Sequence, residues 1–296
     1  MCNVYKTVLS FYCLNIIILT TELLLKAVKF KLDRISISKE KINMRSFSDI
    51  QYGKLNHPLQ KLDIHLPDEG NTFPIFIYFH GGGLKKGDKS AQSLYDAAKT
   101  MEKDGIALVS VNYRMYPDAK YPDYIEDCAE AVAWIFSNIE QYCKPNGIYV
   151  GGSSAGGYLS MMLCFDKSWL GKYGISPLDV KGYIHGAGQP TAHFEVLNNR
   201  GIDSKRVIID ETAPLYHIGV DDTYSPMLFI ISDNDMQNRY EQTMLTISTL
   251  KHFGHEGDKV KLIVMHGKHC QYIREYDENG DSILGKVVTE FIKESL

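Results

Sequence analysis

Short apolar runs and longer amphipathic stretches alternate along most of this chain. Apolar runs rich in β-branched and aromatic residues predict strands, and apolar positions at helical spacing predict helices. The predicted strands are two within 47–66 and one each at 75–79, 106–111, 147–150, 180–185, 227–231 and 260–265. The predicted helices are at about 90–103, 123–142, 158–163, 238–253 and 283–294. This order predicts repeated βαβ units, and therefore an α/β fold with a mostly parallel central sheet and helices on both faces.

Residues 186–225 interrupt this regular alternation. The segment is rich in Gly, Asn, Asp and Pro, which favour turns and loops. Loops of this kind often carry function above a rigid scaffold. We expect the segment to form a pocket wall above the sheet, with little or no separate lid domain.

The strand predicted at 147–150 leads into the pentapeptide Gly152-Ser153-Ser154-Ala155-Gly156, which matches G-x-S-x-G. A predicted buried helix follows it directly. In such a strand–turn–helix context the turn raises the serine hydroxyl above the sheet edge, and the flanking positions must be small. Gly152 and Gly156 meet that requirement, so Ser154 is the predicted nucleophile.

A serine nucleophile needs a base that accepts its proton and an acid that orients the base. In an open α/β sheet these groups follow the carboxyl ends of the strands. Asp235 and His269 follow the last two predicted strands, and the chain order nucleophile, acid, base is a known order for serine hydrolysis. We therefore predict a triad of Ser154, Asp235 and His269.

Both the acid and the base have rivals. The rival acids are Asp233, Asp221 and Asp222. Asp233 shares the loop of Asp235 and is a candidate turn cap. His266 is the rival base, or a structural residue at the strand end, but His269 follows a glycine-containing turn that can swing its imidazole towards Ser154. The remaining histidines considered are assigned to packing or surface positions, and these are His185, His193, His217, His252 and His255.

The motif His80-Gly81-Gly82-Gly83 follows the strand predicted at 75–79. A carbonyl under attack develops negative charge, which needs N–H donors already in place. Glycines let the backbone approach a substrate without a side-chain collision. We assign the oxyanion donors to the N–H groups of Gly82, Gly83 and Ala155, with His80 and Gly81 as supporting motif residues.

A plain glycine-rich turn or a phosphate loop is the alternative for this motif. A phosphate loop requires G-x-x-x-x-G-K-[ST], which the positions of Lys85 and Lys86 do not satisfy. No G-x-G-x-x-G opens a βαβ unit either. The sequence therefore predicts no nucleotide cofactor.

Composition and charge narrow the class of protein further. The chain has 296 residues, 44% of them hydrophobic and 23% charged, which is ordinary for a globular protein. Its net charge of −4 without long charged runs argues against a nucleic-acid partner. The cysteines form no C-x-x-C pair and no zinc-type spacing. Their apolar settings predict buried free thiols in a reducing compartment. They are Cys2, Cys13, Cys128, Cys143, Cys164 and Cys270.

Taken together, the motifs resemble those of hormone-sensitive-lipase-like carboxylesterases and of the related feruloyl and acetyl esterases with little lid. The resemblance covers roughly residues 48–296. The residues that carry it are His80-Gly81-Gly82-Gly83, Tyr113-Arg114, Tyr121-Pro122, Glu126-Asp127, Gly152-Ser153-Ser154-Ala155-Gly156-Gly157, Asp235 and His269. It implies an α/β-hydrolase fold, a Ser-His-Asp triad, hydrolysis of esters with small acyl groups, and neither metal nor cofactor.

Two positions depart from the pattern of hormone-sensitive-lipase-like enzymes. Ser153 stands where those enzymes usually carry Asp, and Leu84 replaces the aromatic residue that often follows the third glycine. The first departure favours the feruloyl and acetyl esterase branch. An arylformamidase-like amide hydrolase on the same fold and a non-catalytic small-ligand-binding protein remain the alternative functions.

Residues 1–46 are predicted as an N-terminal helical or anchor-like extension of a catalytic domain at 47–296. No charge lies between Lys6 and Glu22, but the apolar run is shorter than the ~20 residues that a membrane span needs. No small-residue cleavage site follows, which argues against a signal peptide. A helix packed on the domain is preferred to membrane contact through residues 7–25, and the expected location is cytoplasmic. The oligomeric state is left open.

Overall fold

Eight strands form one sheet in the described part of the chain, which is residues 44–221 and 223–295 of the computed structural model. The strands are β1 (Arg45–Gln51), β2 (Lys61–Leu66), β3 (Thr72–Phe79), β4 (Ala107–Val111), β5 (Lys144–Ser153), β6 (Gly182–Gly186), β7 (Met227–Asn234) and β8 (Val260–Lys268). The helices are α1 (Gln92–Glu102), α2 (Asp123–Asn138), α3 (Ala155–Phe165), α4 (Ser168–Gly171), α5 (Phe194–Asn199), α6 (Arg239–His252) and α7 (Ile283–Ser295).

The sheet is mostly parallel, as predicted. Its spatial order is β1-β2-β4-β3-β5-β6-β7-β8. The β1–β2 and β2–β4 pairs are antiparallel, and every other neighbouring pair is parallel. Parallel strands share one carboxyl edge, so the segments that follow β3, β5, β7 and β8 all begin on the same side of the sheet.

Helices cover both faces of the sheet. In β3, Ile75, Ile77 and Phe79 pack into a core with α2 and α3, whereas Phe76 and Tyr78 pack into a second core with α1 and α7. Successive side chains of a strand point to opposite faces, so a strand buried on both faces is apolar at every position. This explains why the run at 75–79 is continuous rather than alternating.

The element boundaries differ from the predictions in a few places. The helix predicted at 123–142 ends at Asn138 and continues only as a 3₁₀ turn, Ile139–Gln141. Segment 186–225 contains the short helix α5 and a 3₁₀ turn at Pro214–His217. β1 begins at Arg45, before the predicted domain start, because Arg45 pairs with Leu66 across the sheet.

The predicted membrane-contact segment, residues 7–25, lies outside the described residues. Within 44–221 and 223–295, the helices are all too short or too polar to cross a bilayer.

His185 lies at the centre of the fold, where it is 1% exposed. Its Nδ1 is 2.8 Å from Ser160 Oγ, and its Nε2 has no partner among the described residues. The rings of Tyr183, Phe165 and Phe229 surround it. Burial disfavours the imidazolium and lowers the pKa of His185 to about 3.

His185→Phe should therefore weaken the pH dependence of the free energy of unfolding below pH 6.5. Between pH 6.5 and about pH 3, His185 is protonated in the unfolded chain but neutral in the folded chain. The free energy of unfolding therefore falls as the pH falls through this range. Without the imidazole of His185, the slope of the free energy of unfolding against pH should decrease by up to about 1.4 kcal/mol per pH unit. Urea unfolding at pH 6.5, 5.5 and 4.5 measures it, with the exposed His252→Gln as control. Equal slopes in wild type and His185→Phe would contradict the prediction.

Candidate active site

Ser154 occupies a sharp turn between β5 and α3. Its backbone angles are φ 57° and ψ −113°, and its N–H donates to the carbonyl oxygen of Gly186 at 2.7 Å. A Cβ on Gly152 would lie 2.5 Å from the carbonyl oxygen of Phe79, and a Cβ on Gly156 would overlap the same oxygen. Packing against β3 therefore requires both glycines and holds Ser154 at the sheet edge in a strained conformation.

The imidazole of His269 links Ser154 to Asp235. Ser154 Oγ is 2.8 Å from His269 Nε2, and His269 Nδ1 is 2.6 Å from Asp235 Oδ1. In the neutral tautomer that fits both contacts, the serine hydroxyl donates to Nε2 and the Nδ1–H donates to the carboxylate. A relay with this geometry can accept the serine proton on the imidazole while the carboxylate stabilises the resulting imidazolium.

The side chain of Asp235 is buried, with only 1% of its surface exposed. Burial by itself raises the pKa of Asp235. The hydrogen bond and charge of His269, together with the backbone N–H groups of Met236 and Ser232, outweigh burial and lower the pKa below its usual value. The carboxylate therefore stays ionised at neutral pH and orients the Nδ1–H of His269.

The rival residues lie elsewhere. Asp233 Oδ2 is 2.7 Å from His266 Nδ1, and the N–H of Gly267 donates to Asp233 Oδ1 at 2.8 Å. The His266 side chain is 98% exposed, so this pair joins the ends of β7 and β8 at the surface. Asp221 pairs with Lys167, and Asp222 lies outside the described residues.

The His80–Gly83 motif lies against the Ser154 turn. A Cβ on Gly81 would be 3.2 Å from Ser154 Cβ. Gly82 and Gly83 have φ values of 123° and 67°, which side chains rarely adopt. Their N–H groups have no acceptor among residues 44–221 and 223–295. Ala155 begins α3, so its N–H lacks an intrahelical partner. The N–H groups of the three predicted donors thus have no backbone acceptor within the described residues.

Comparison with known proteins bears on the family and the fold of the chain. The family model described as BD-FAE matches residues 62–171. The chain is 32% identical over 100 residues to the carboxylic ester hydrolase LipN of Mycobacterium tuberculosis, covering 33% of this chain and 26% of LipN. It is 31% identical over 139 residues to the kynurenine formamidase of Danio rerio, covering 47% of this chain and 44% of that protein. The chain thus spans less than half the length of either curated relative.

A solved structure extends the comparison to nearly the whole domain. A truncated carbohydrate esterase from gut microbiota superimposes with a TM-score of 0.69 at 20% identity, covering 86% of this chain and 98% of that chain. The protein has the α/β-hydrolase fold. The sequence resemblance to hormone-sensitive-lipase-like carboxylesterases is confirmed by the matched family model and the carboxylic ester hydrolase relatives.

One residue that supports the site, Arg239, was not predicted from the sequence. Arg239 is 5% exposed, and its guanidinium donates to the carbonyl oxygen of Ala187 at 2.8 Å. The preceding carbonyl, that of Gly186, accepts the N–H of Ser154. Arg239 thus supports the strand end on which the serine turn rests, and nothing in an amphipathic helix pattern distinguishes such an arginine.

Cys270 and Ser153 contact His269 and the segment that follows it, respectively. The Sγ of Cys270 is 3.7 Å from His269 Nε2, and burial raises the pKa of this thiol to about 12. Ser153 Oγ is 3.5 Å from the hydroxyl of Tyr272, a residue of the segment that follows His269. Ser153 therefore contacts the base-bearing segment with a neutral hydroxyl where related enzymes usually carry Asp.

Among residues 44–221 and 223–295, no group of three or more His, Cys, Asp and Glu side chains is arranged to hold an ion. The chemistry available at this edge of the sheet is that of a hydroxyl, an imidazole, a carboxylate and backbone donors.

Gly156→Ala should destroy the site through the backbone. The added methyl group overlaps the carbonyl oxygen of Phe79, which cannot move without displacing β3. We expect a loss of about 3 kcal/mol or more in the free energy of unfolding. Gly171→Ala is the control, because a Cβ there meets nothing within 4 Å. Urea unfolding of both variants measures the effect, and an equally stable Gly156→Ala protein would contradict the steric account.

Proposed function

We propose that the protein hydrolyses carboxylic esters with small acyl groups through an acyl-enzyme intermediate. The observation that carries the proposal is the pair of short contacts, 2.8 Å and 2.6 Å, that joins Ser154, His269 and Asp235. These three are the catalytic residues of the proposal, with Gly82 and Gly83 among its oxyanion donors. The names of several relatives, which are carboxylic ester hydrolases and carboxylesterases, support it.

The reaction follows from the roles of the three side chains. His269 Nε2 accepts the proton of Ser154 as Oγ attacks the ester carbonyl, and Asp235 stabilises the imidazolium. The N–H groups of Gly82, Gly83 and Ala155 stabilise the oxyanion. His269 then gives its proton to the leaving alcohol, and an acyl-serine remains. Water, deprotonated by the same imidazole, releases the acid and restores the serine.

The location and domain assignment belong to the same proposal. The catalytic domain of the proposal begins at β1, two residues before the predicted start at 47, and the residues that precede it are an extension to it. Four cysteines of the described residues are free thiols, namely Cys128, Cys143, Cys164 and Cys270. Free thiols are typical of reducing compartments, which supports a cytoplasmic location. The net charge of −4 supports a small-molecule substrate rather than nucleic acid.

Ser154→Ala should abolish hydrolysis of p-nitrophenyl acetate without unfolding the protein. Loss of a nucleophile whose activation depends on a triad typically lowers kcat by about 10³-fold or more. His269→Gln should have a similar effect, whereas the exposed His252→Gln should retain wild-type kcat. Steady-state kinetics measure turnover, and circular dichroism checks the fold. A folded Ser154→Ala variant with unchanged kcat would remove the basis of the proposal.

His266→Gln separates the two candidate bases. Its ring is exposed and paired with Asp233, so the proton relay at Ser154 does not require it. We expect this variant to keep most of the wild-type kcat for p-nitrophenyl acetate, in contrast to His269→Gln. The reverse pattern, with His266→Gln inactive and His269→Gln active, would reassign the base.

An amide hydrolase is the second candidate, because a kynurenine formamidase shares 31% identity over 139 residues. The same relay can cleave an N-formyl arylamine, with the protonated His269 giving its proton to the leaving amine. Phenyl acetate and formanilide, compared at equal enzyme concentration, distinguish the two functions. We expect a higher kcat/KM for phenyl acetate. A higher value for formanilide would instead make the protein a formamidase.

A further inference from the structure

An ion pair joins the oxyanion loop, which is residues 80–84, to the segment 186–225. Lys85 follows the loop directly, and its Nζ is 2.8 Å from Glu195 Oε2 in α5. The Glu195 side chain is 1% exposed, whereas that of Lys85 is 48% exposed. Asn198 Nδ2 donates to the same carboxylate oxygen at 3.3 Å. The carboxylate is therefore enclosed by protein, and Lys85 is its cationic partner.

Neighbouring contacts reinforce this connection. A Cβ on Gly83 would lie 3.0 Å from Cζ of Phe194, so the Phe194 ring packs directly on the loop. The N–H of Tyr116 donates to the carbonyl oxygen of Leu84 at 2.9 Å. The Nζ of Lys85 lies 5.2 Å from the centroid of the Tyr116 ring. Residues of α5 and the residue Tyr116 thus contact three consecutive positions, 83–85.

The loop needs such support because its backbone is strained. Gly82, Gly83 and Leu84 have consecutive positive φ values of 123°, 67° and 62°. A non-glycine residue in this conformation costs of order 1–3 kcal/mol and persists only where its surroundings hold it. The oxyanion donors act only if they are in place before charge develops. A loop free to relax would lose that arrangement.

We propose that Lys85 and Glu195 form a clamp that positions the N–H groups of Gly82 and Gly83 for the oxyanion. Both are positioning residues, since neither touches the reacting atoms. The proposal rests on the proposed ester hydrolysis for its kinetic consequence, but the clamp itself is a statement about loop geometry. Through the clamp, α5 in the segment 186–225 supports the transition state.

Lys85→Met is the principal test. On p-nitrophenyl acetate we expect kcat to fall on the order of 10- to 100-fold, part of the loss seen when a donor is removed outright, with KM changed by less than about threefold. The affinity for phenylboronic acid, which forms a tetrahedral adduct on the serine, should fall in parallel. Lys85→Arg keeps a cation at the clamp and should restore most of kcat.

Lys172→Met is a matched control. Lys172 is also 48% exposed, forms a 2.8 Å ion pair with Glu126 and lies over an aromatic ring, that of Trp169. It lies on the segment after α4, away from the oxyanion loop. This variant should retain wild-type kcat, so a loss confined to Lys85→Met reports on the loop rather than on the removal of any lysine.

The double variant Lys85→Met/Glu195→Gln separates positioning from the cost of an unpaired buried carboxylate. Breaking a buried pair destabilises a protein mainly by leaving one charge without its partner. The second substitution removes that charge, so thermal stability should recover while kcat stays low. Recovery of kcat to the wild-type value would overturn the clamp.

Hydrogen exchange tests the clamp independently of activity. Amides of residues 80–88 should exchange faster in Lys85→Met than in wild type or in Lys172→Met. Unchanged exchange, or unchanged kcat in an active protein, would overturn the proposal. If the wild type cleaves no ester but residues 80–88 still exchange faster in Lys85→Met, the clamp stands and the proposed ester hydrolysis fails.

Discussion

The hydrogen bond between Ser154 Oγ and His269 Nε2 is the contact on which the proposed chemistry of this molecule depends. It joins residues 115 positions apart in the chain, and only the sheet order brings them together. β5 carries the serine to the sheet edge, and β7 and β8 carry Asp235 and His269 to the same edge. A serine hydroxyl without this contact is a weak nucleophile at neutral pH.

The surrounding structure keeps both ends of that hydrogen bond in place. Arg239 and the carbonyls of residues 186 and 187 support the serine turn. Asp233 joins the ends of β7 and β8 through His266 and Gly267, which fixes the strand ends from which the acid and base loops leave. The oxyanion loop has strained backbone angles and contacts other segments at Gly83, Leu84 and Lys85. Strain at a functional site is retained only where the scaffold supports it.

Much of this architecture could be predicted from the sequence, because strand–helix alternation and turn chemistry are local signals. The run 75–79 predicted a doubly covered strand, and the small residues around Ser154 predicted the sharp turn. The roles of Arg239 and Glu195 could not be predicted. Each acts through a partner about 50 or more residues away, Ala187 for Arg239 and Lys85 for Glu195, and no periodic pattern encodes such a pairing. The end of α2 was predicted too late because the 3₁₀ turn after it continues the helical pattern.

Covalent labelling with diethyl p-nitrophenyl phosphate, followed by peptide-mapping mass spectrometry, tests the central claim most directly. The reagent phosphorylates a serine only where a base activates the hydroxyl and donors stabilise the developing oxyanion. The account predicts one phosphoryl group per chain, located on Ser154, and none when His269 is replaced by Gln. An unlabelled folded protein, or a label on another residue with Ser154 unmodified, would contradict it.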